Sequence, residues 1–168
     1  AGTDVTFFDF QGIPQRHSGT DDIARIGLRV PDDAAIDYWV RRFEHYEVNH
    51  EAPRTLFGRK VLYFEDFDTQ RYALFSDEDD EGVAAGEPWH KGPVPDEYAV
   101  YGLGPIFLKV HDADLMGQVL ERIMQMRKSG TEANYTLYEM GPGGNGGSVI
   151  VEWDESGKRA VQGYGGVH

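Results

Sequence analysis

The chain has 168 residues, of which 40% are hydrophobic and 12% aromatic, so one domain or two small domains can form a buried core. Its net charge of −13 argues against nucleic acid and an anionic membrane as partners, because both require clusters of Lys and Arg. It contains no cysteine, which excludes disulfides, thiolate metal sites and a cysteine nucleophile and is consistent with a cytoplasmic location.

A strand–helix–hairpin pattern occurs twice in the chain. The first copy starts with an apolar strand over residues 23–30, and Asp32 is placed to cap the helix that follows. Apolar residues at helical spacing predict an amphipathic helix over residues 33–47. Two β-rich segments, residues 61–65 and 71–76, then predict a hairpin.

The second copy repeats this order. A strand is predicted over residues 105–110, and Asp112 is placed to cap a second helix. We expect this helix to continue to Lys128 and to stop at Gly130, because basic residues in the last turn followed by Gly are typical of a helix end. Two further strands are predicted over residues 135–140 and 148–154.

The duplication predicts an α+β fold class with two strand–helix–hairpin units and one helix in each. Residues 4–10 are predicted to form a separate strand, followed by a turn-rich segment up to the first unit. A strand with no partner of its own should pair with another part of the fold or with another chain.

Several polar segments are candidate sites, and each has a structural interpretation that we favour. The acidic run at 77–81 lacks the spacing of a calcium loop and is expected to be solvated. The loop GPGGNGG at 141–147 joins two strands, whereas a phosphate-binding loop must lead into a helix, so a hairpin loop is predicted. Glu152 and Asp154 would share one strand face and could hold a cation, although a solvated edge is favoured.

The aromatic residues and histidines have structural interpretations as well. Trp39 and Phe43 follow the apolar spacing of the first helix and are predicted to lie in the core. Trp89 is predicted to hold the linker against the body. His45 and His50 do not share a helical face and are interpreted as surface residues, as are the isolated histidines His17, His90 and His111. His168 follows a Gly-Gly turn at the start of an apolar segment, and it is the one imidazole that we consider as a metal ligand.

The chain resembles the vicinal-oxygen-chelate superfamily, which includes glyoxalases, bleomycin-resistance proteins and extradiol dioxygenases. It is most similar to the central modules of bacterial ring-cleaving dioxygenases that act on hydroquinone-type substrates. The segments that carry the likeness are RIGLRVPDDAAIDYWVRRFEHY, LFGRKVLYFEDFD, PWHKGPVPDEYAVYGLGPIFLKV and YGGVH.

The resemblance implies a fold of tandem βαβββ modules with curved mixed sheets and one helix per module. Residues 1–21 would be the last strand of a preceding module plus a linker, and residues 22–78 a βαβββ module. A linker over 79–98 would lead to a second βαβββ module over 99–155, and residues 156–168 would be a linker to a following module.

The resemblance implies one Fe(II) or Mn(II) in the full-length protein, bound by two His and one Glu from outer modules. In such modules the ligand His lies six residues before the Pro that ends the first strand, and here those positions hold Arg25 and Pro105. Neither can be a metal ligand, since Arg stays protonated and Pro has no donor atom. His168 matches the first His of a family His-His pair whose second member is usually the ligand. The resemblance therefore implies that this chain alone holds no cofactor.

Two functions follow as hypotheses. In the first, the chain is the central fragment of a metal-dependent extradiol-type dioxygenase that opens a catechol- or hydroquinone-like aromatic with dioxygen. This part would be scaffold and cavity wall, and its partners would be the missing modules or a second copy. In the second, the chain is a non-catalytic, bleomycin-resistance-like protein of two modules, whose curved sheet holds an aromatic molecule. Neither hypothesis includes nucleic acid or a membrane as a partner.

Overall fold

The computed structural model describes residues 5–8 and 11–167. Ten helices and strands carry the fold: β1 (Asp22–Val30), α1 (Asp33–His45), β2 (Arg54–Leu56), β3 (Arg59–Glu65), β4 (Arg71–Ser76), β5 (Gly102–Val110), α2 (Ala113–Gln118), β6 (Arg127–Glu132), β7 (Tyr135–Glu139) and β8 (Ser148–Trp153). Short helical turns lie at Asp96–Tyr98, Val119–Ile123 and Asn145–Gly147. None of the helices in the described part of the chain is long and apolar enough to cross a membrane.

All eight strands form one mixed sheet in the order β2-β3-β4-β1-β5-β8-β7-β6. Within each half the first and last strands are parallel, β1 with β4 and β5 with β8. The halves join through antiparallel pairing of β1 with β5. Each half therefore reads β-α-β-β-β, which confirms the predicted fold class of tandem modules with one helix each.

The two helices begin where the sequence predicts, at aspartate caps. The Asp32 carboxylate accepts a hydrogen bond from the Ala35 backbone N–H at 2.8 Å, and Asp112 accepts one from Leu115 at the same distance. Such caps satisfy N–H groups that the first helical turn leaves unpaired. As predicted, Phe43 is buried under α1, and Trp39 packs beside it while its indole N–H donates to the Tyr98 carbonyl.

The predicted length of the second helix is wrong. α2 ends at Gln118 and continues only as a π-helical turn, in which the N–H of Met124 donates to the Val119 carbonyl. Gln125 then adopts a left-handed φ of 58°, which stops the helix and turns Met126 into the core. The chain from Arg127 onward pairs with β7 as a polar strand, so the basic residues begin a strand instead of ending a helix.

The helices cover only one face of the sheet. α1 packs on the first module and α2 on the second, each over its own apolar cluster. The other face carries no helix and holds a single apolar cluster that both modules share. The outer strands also approach one another, since the Phe57 N–H, after β2, donates to Glu132 of β6 at 2.8 Å. The sheet thus curls around its helix-free face, and we call the enclosed space the curled interior.

The two segments interpreted as linkers at the ends of the chain contact each other. Isolated bridges join Gln15 to Tyr164 and His17 to Val161. Arg16 is buried in this region and pairs with Asp22 at 2.5 Å. Residues 5–8 are exposed and carry no strand, and the other positions of the predicted strand 4–10 lie outside the described residues. The pairing of that strand with another module or chain therefore stays a prediction.

Candidate functional site

The middle of the curled interior is filled with side chains. Phe75, Phe107 and Ile150 are each at most 1% exposed and meet across the two modules. The cleft that the second hypothesis requires is thus occupied by the core of this chain. Two groups of polar side chains among the described residues lie at the ends of this interior, and we call these ends the Arg29 end and the Arg25 end.

The Arg29 end is a closed network of charges. Arg29 of β1 donates from Nε to Asp77 at 2.8 Å and from Nη2 to Asp80 at 3.1 Å. The Tyr101 hydroxyl donates to Asp77 at 2.7 Å, and burial followed by this hydrogen bond raises the Tyr101 pKa. The expectation that the whole acidic run is solvated is wrong for Asp77 and Asp80, whose side chains are only 6% and 3% exposed. Burial is tolerated here because a cation pairs with them.

The glycine-rich loop completes this network. It joins β7 to β8, as predicted for a hairpin loop, and brings Asn145 to full burial. The Asn145 backbone N–H donates to Asp80, and its side-chain amide donates to Ser76 and Asp77. With its donors and carboxylates nearly all paired, the Arg29 end is structural.

The linker between the modules is fixed by this network and not by Trp89. The Val83 carbonyl accepts a hydrogen bond from Arg29 Nη1 at 2.9 Å, and the Val83 N–H donates to Gly143. Trp89 is 70% exposed, so the prediction that it holds the linker against the body is wrong.

The Arg25 end differs because its central cation lacks a carboxylate. The guanidinium carbon of Arg25 lies 3.9 Å from the ring centroid of Tyr63 and 5.9 Å from that of Phe107. Within the described part of the chain, the Arg25 side chain makes no hydrogen bond or ion pair. Burial is the main reason that its pKa falls below the ordinary value. The attraction of a cation to an aromatic face compensates for lost hydration only in part.

Neighbouring charges at this end are paired with each other. Lys109 Nζ lies 3.2 Å from a Glu152 oxygen and 3.1 Å from an Asp154 oxygen. Glu152 and Asp154 therefore share a cation, as their spacing allowed, but the cation is a lysine. Hydrogen bonds from Ser156, and then from Lys109, lower the Asp154 pKa to about 2. Arg54 lies over the Tyr63 ring and pairs with Glu51.

The residues present do not fit an Fe(II) or Mn(II) site. Within residues 5–8 and 11–167, no three His, Asp or Glu side chains converge in a way that could hold a metal ion. Arg25 occupies the helix-free face, and Pro105 is buried without a donor atom. His168, the predicted candidate ligand, lies outside the described residues.

The other histidines make local contacts. His50 hydrogen-bonds the Val48 carbonyl at 2.9 Å, and His90 pairs with Asp96 at 2.8 Å. His111 pairs with Asp21 at 3.1 Å, and His17 and His45 are exposed. They are spread over the surface and do not form a site.

Sequence reasoning missed the grouping of Arg25 with Tyr63 and Tyr135. Successive side chains of a strand point to opposite faces of the sheet, so the sequence could have indicated which face each of these three residues occupies. What the sequence could not supply was the register, because β1 slips twice against β5. The first slip, between Ile23 and Arg25, brings Arg25 opposite Phe107.

Comparison with known proteins gives a consistent set of relatives. A provisionally named ring-cleaving dioxygenase of Bacillus subtilis (strain 168), MhqA, is 36% identical over 99% of this chain and 54% of its own length. A second such protein from the same organism, MhqE, is 28% identical over 99% of this chain and 52% of its own length. The chain spans about half the length of the curated relatives it matches. No protein-family model matches it.

Solved structures agree on the fold. The crystal structure of a provisionally assigned dioxygenase from Bacillus subtilis subsp. subtilis str. 168 has a TM-score of 0.83 and 25% identity, covering 99% of this chain and 51% of that one. Glyoxalase I from Zea mays has a TM-score of 0.55 and 11% identity, covering 85% of this chain and 46% of that one.

Proposed function

Because this chain has the fold of the vicinal-oxygen-chelate superfamily, we propose that it is the central, scaffolding part of a ring-cleaving dioxygenase. The whole protein would act in the cytoplasm on a catechol- or hydroquinone-like aromatic, with dioxygen as the second substrate. The names of its relatives support this reaction class. Fe(II) or Mn(II) would be bound by residues outside the described part of this chain, since those within it supply no donor set.

The packed curled interior is the observation that supports a scaffolding role. In a module pair that binds a substrate between its strands, the concave face must leave space for that substrate. Here Phe75, Phe107 and Ile150 fill that space, so the pair stabilises itself and presents outer surfaces to other modules. The missing modules or a second copy are the partners we propose, and residues 22–78 and 99–155 are the modules.

The test uses the protein encoded by the complete gene. We expect an intact mass well above the 18.9 kDa of this chain, and oxygen uptake when the protein is loaded anaerobically with Fe(II) and mixed with hydroquinone or catechol. A chelator should abolish the uptake. A complete protein of about 19 kDa that consumes no oxygen with either metal would favour the non-catalytic binding protein and refute the dioxygenase.

A further inference from the structure

We propose that the Arg25 end of the curled interior binds a small aromatic carboxylate, in a site that is independent of any metal. The site consists of the Arg25 guanidinium, the Tyr63 hydroxyl and the rings of Phe107 and Tyr135. It does not rest on the dioxygenase proposal, because all of its residues belong to this chain.

The first argument is the unpaired charge of Arg25. Arg25 is half-buried, and its guanidinium carbon lies 3.9 Å from the centroid of the Tyr63 ring. Within the described residues it has no carboxylate partner. Removing a cation from water is unfavourable unless an anion and hydrogen-bond acceptors replace the water. Arg29, four residues further along the same strand, has two carboxylate partners. The Arg25 guanidinium still offers its planar set of donors, which matches the two oxygens of a carboxylate.

The second argument is the Tyr63 hydroxyl. Tyr63 is only 3% exposed, and its oxygen is buried with no hydrogen-bond partner among the described residues. Buried hydroxyl groups nearly always form a hydrogen bond, so an unpaired hydroxyl in this position lowers the stability of the folded state. A carboxylate held by Arg25 would supply an acceptor at the same end of the interior. A side-chain movement of Arg25 off the Tyr63 ring would open the route to this hydroxyl.

The third argument concerns the charges that surround the site. Three carboxylates lie at this end, but Glu51 is paired with Arg54, and Glu152 and Asp154 are paired with Lys109. The three carboxylates outnumber these two cations by one, so Arg25 makes this end neutral overall while its own guanidinium donors stay unpaired. A neutral end with unpaired guanidinium donors accommodates a monoanion better than a dianion.

The aromatic character of the ligand follows from the rings beside Arg25. Tyr63 and Phe107 pack edge to face with centroids 6.0 Å apart, and Phe107 and Tyr135 do so at 6.2 Å. Tyr135 is only half-buried, so part of its ring is exposed to solvent at this end of the interior. Edge-to-face and offset contacts with such rings stabilise a further aromatic ring. The carboxylate would contact Arg25 and the ligand ring would pack against Tyr135.

The experiment titrates this chain with benzoate, benzyl alcohol and acetate, and follows the Tyr and Arg side-chain resonances by NMR. We expect benzoate to bind with a dissociation constant of about 1 mM, a free energy reasonable for so few atoms. Acetate and benzyl alcohol should each bind at least about tenfold more weakly, since one lacks the ring and the other the charge.

Three variants locate the site. Arg25→Met should abolish benzoate binding, and Tyr63→Phe should weaken it about tenfold through loss of one hydrogen bond. Arg42→Met is the matched control, since Arg42 also stacks on a tyrosine, 4.9 Å from the Tyr46 ring, but on α1. It should leave benzoate affinity unchanged. Circular dichroism checks that each variant is folded.

Three results would overturn the proposal. The first is wild-type chain that shows no saturable benzoate response. The second is benzoate binding that persists in folded Arg25→Met. The third is acetate or benzyl alcohol binding as tightly as benzoate, which would remove the ring or the charge from the recognition. If Arg25→Met does not fold, Arg25→Lys replaces it, and loss of the two-point contact should weaken binding at least about tenfold.

Discussion

Arg25 and Arg29 lie on one strand and face the same interior, yet within the described residues only Arg29 forms ion pairs with carboxylates. Asp77 and Asp80 reach Arg29 because the chain after β4 turns back over this end of the sheet. At Arg25 the nearby carboxylates are held by Arg54 and Lys109. The same residue type thus serves as a structural cation at one end and as an available cation at the other.

Arg29→Met tests the structural assignment. The change leaves the buried Asp77 without its cation and Asp80 with only the longer contact to Arg59 at 3.4 Å. We expect it to lower the free energy of unfolding by about 3–5 kcal/mol. Lys60→Met is the control, because Lys60 pairs with Asp37 at a solvated position, where such pairs contribute about 0–1 kcal/mol. Urea denaturation measures both, and equal losses in the two variants would contradict the assignment.

The lowered pKa of Glu139 predicts how the free energy of unfolding depends on pH. Burial raises the Glu139 pKa, but hydrogen bonds from Ser129 and the Gly144 N–H, together with Arg59, outweigh burial and lower it. A carboxyl group whose pKa is lower in the folded state stabilises the protein above its unfolded pKa, and this contribution disappears as the pH falls through the folded value. Glu139→Gln should therefore be less stable than wild type at pH 7, with a smaller difference at pH 3. Urea denaturation at the two pH values measures this, and a difference that grows on acidification would be inconsistent with the lowered pKa.

At the scale of elements, the sequence predicted the helix starts and six of the eight strands well, but it missed β2, β6 and the end of α2. The starts depend on local chemistry, such as Asp32 and Asp112, that a sequence shows directly. The end depends on Gln125 adopting a left-handed conformation so that Met126 can enter the core. That choice is made by tertiary packing, and the basic residues after it resembled a helix end. The Arg25 end was likewise hidden, because β1 slips in register against β5.

The caps give a prediction at this scale. Asp32→Ala removes the acceptor of the Ala35 N–H and should destabilise the protein by about 1 kcal/mol. Glu44→Ala, an exposed change within α1, should have little effect. Thermal unfolding of the two variants gives the comparison, and an Asp32→Ala protein with wild-type stability would show that the cap is dispensable.

At the scale of the whole molecule, the two modules share one interior and should unfold together. Phe107 of the second module packs with Phe75 of the first at a centroid distance of 6.0 Å and with Tyr135 at 6.2 Å. The outer strands close the curl through Phe57 and Glu132. Each module has its own cluster beneath its helix, but the opposite face of each is covered by the shared core, so neither module buries both faces of its sheet alone.

Phe107→Ala tests this coupling. We expect a loss of about 3–5 kcal/mol from the cavity and a single unfolding transition. Phe67→Ala, at a side chain that is 96% exposed, should change stability by less than about 0.5 kcal/mol. Two separate transitions, seen with different spectroscopic probes during denaturation, would show that the modules fold independently.

The central claim is that this chain supplies scaffold and no metal chemistry. The most direct measurement is oxygen uptake by the 168-residue chain alone, supplied anaerobically with Fe(II) or Mn(II) and then with hydroquinone and air. We predict no uptake above the rate of the free metal, together with no bound metal after desalting, because the described residues offer no donor set. Stoichiometric metal retention with catalytic oxygen uptake by this chain would contradict the account.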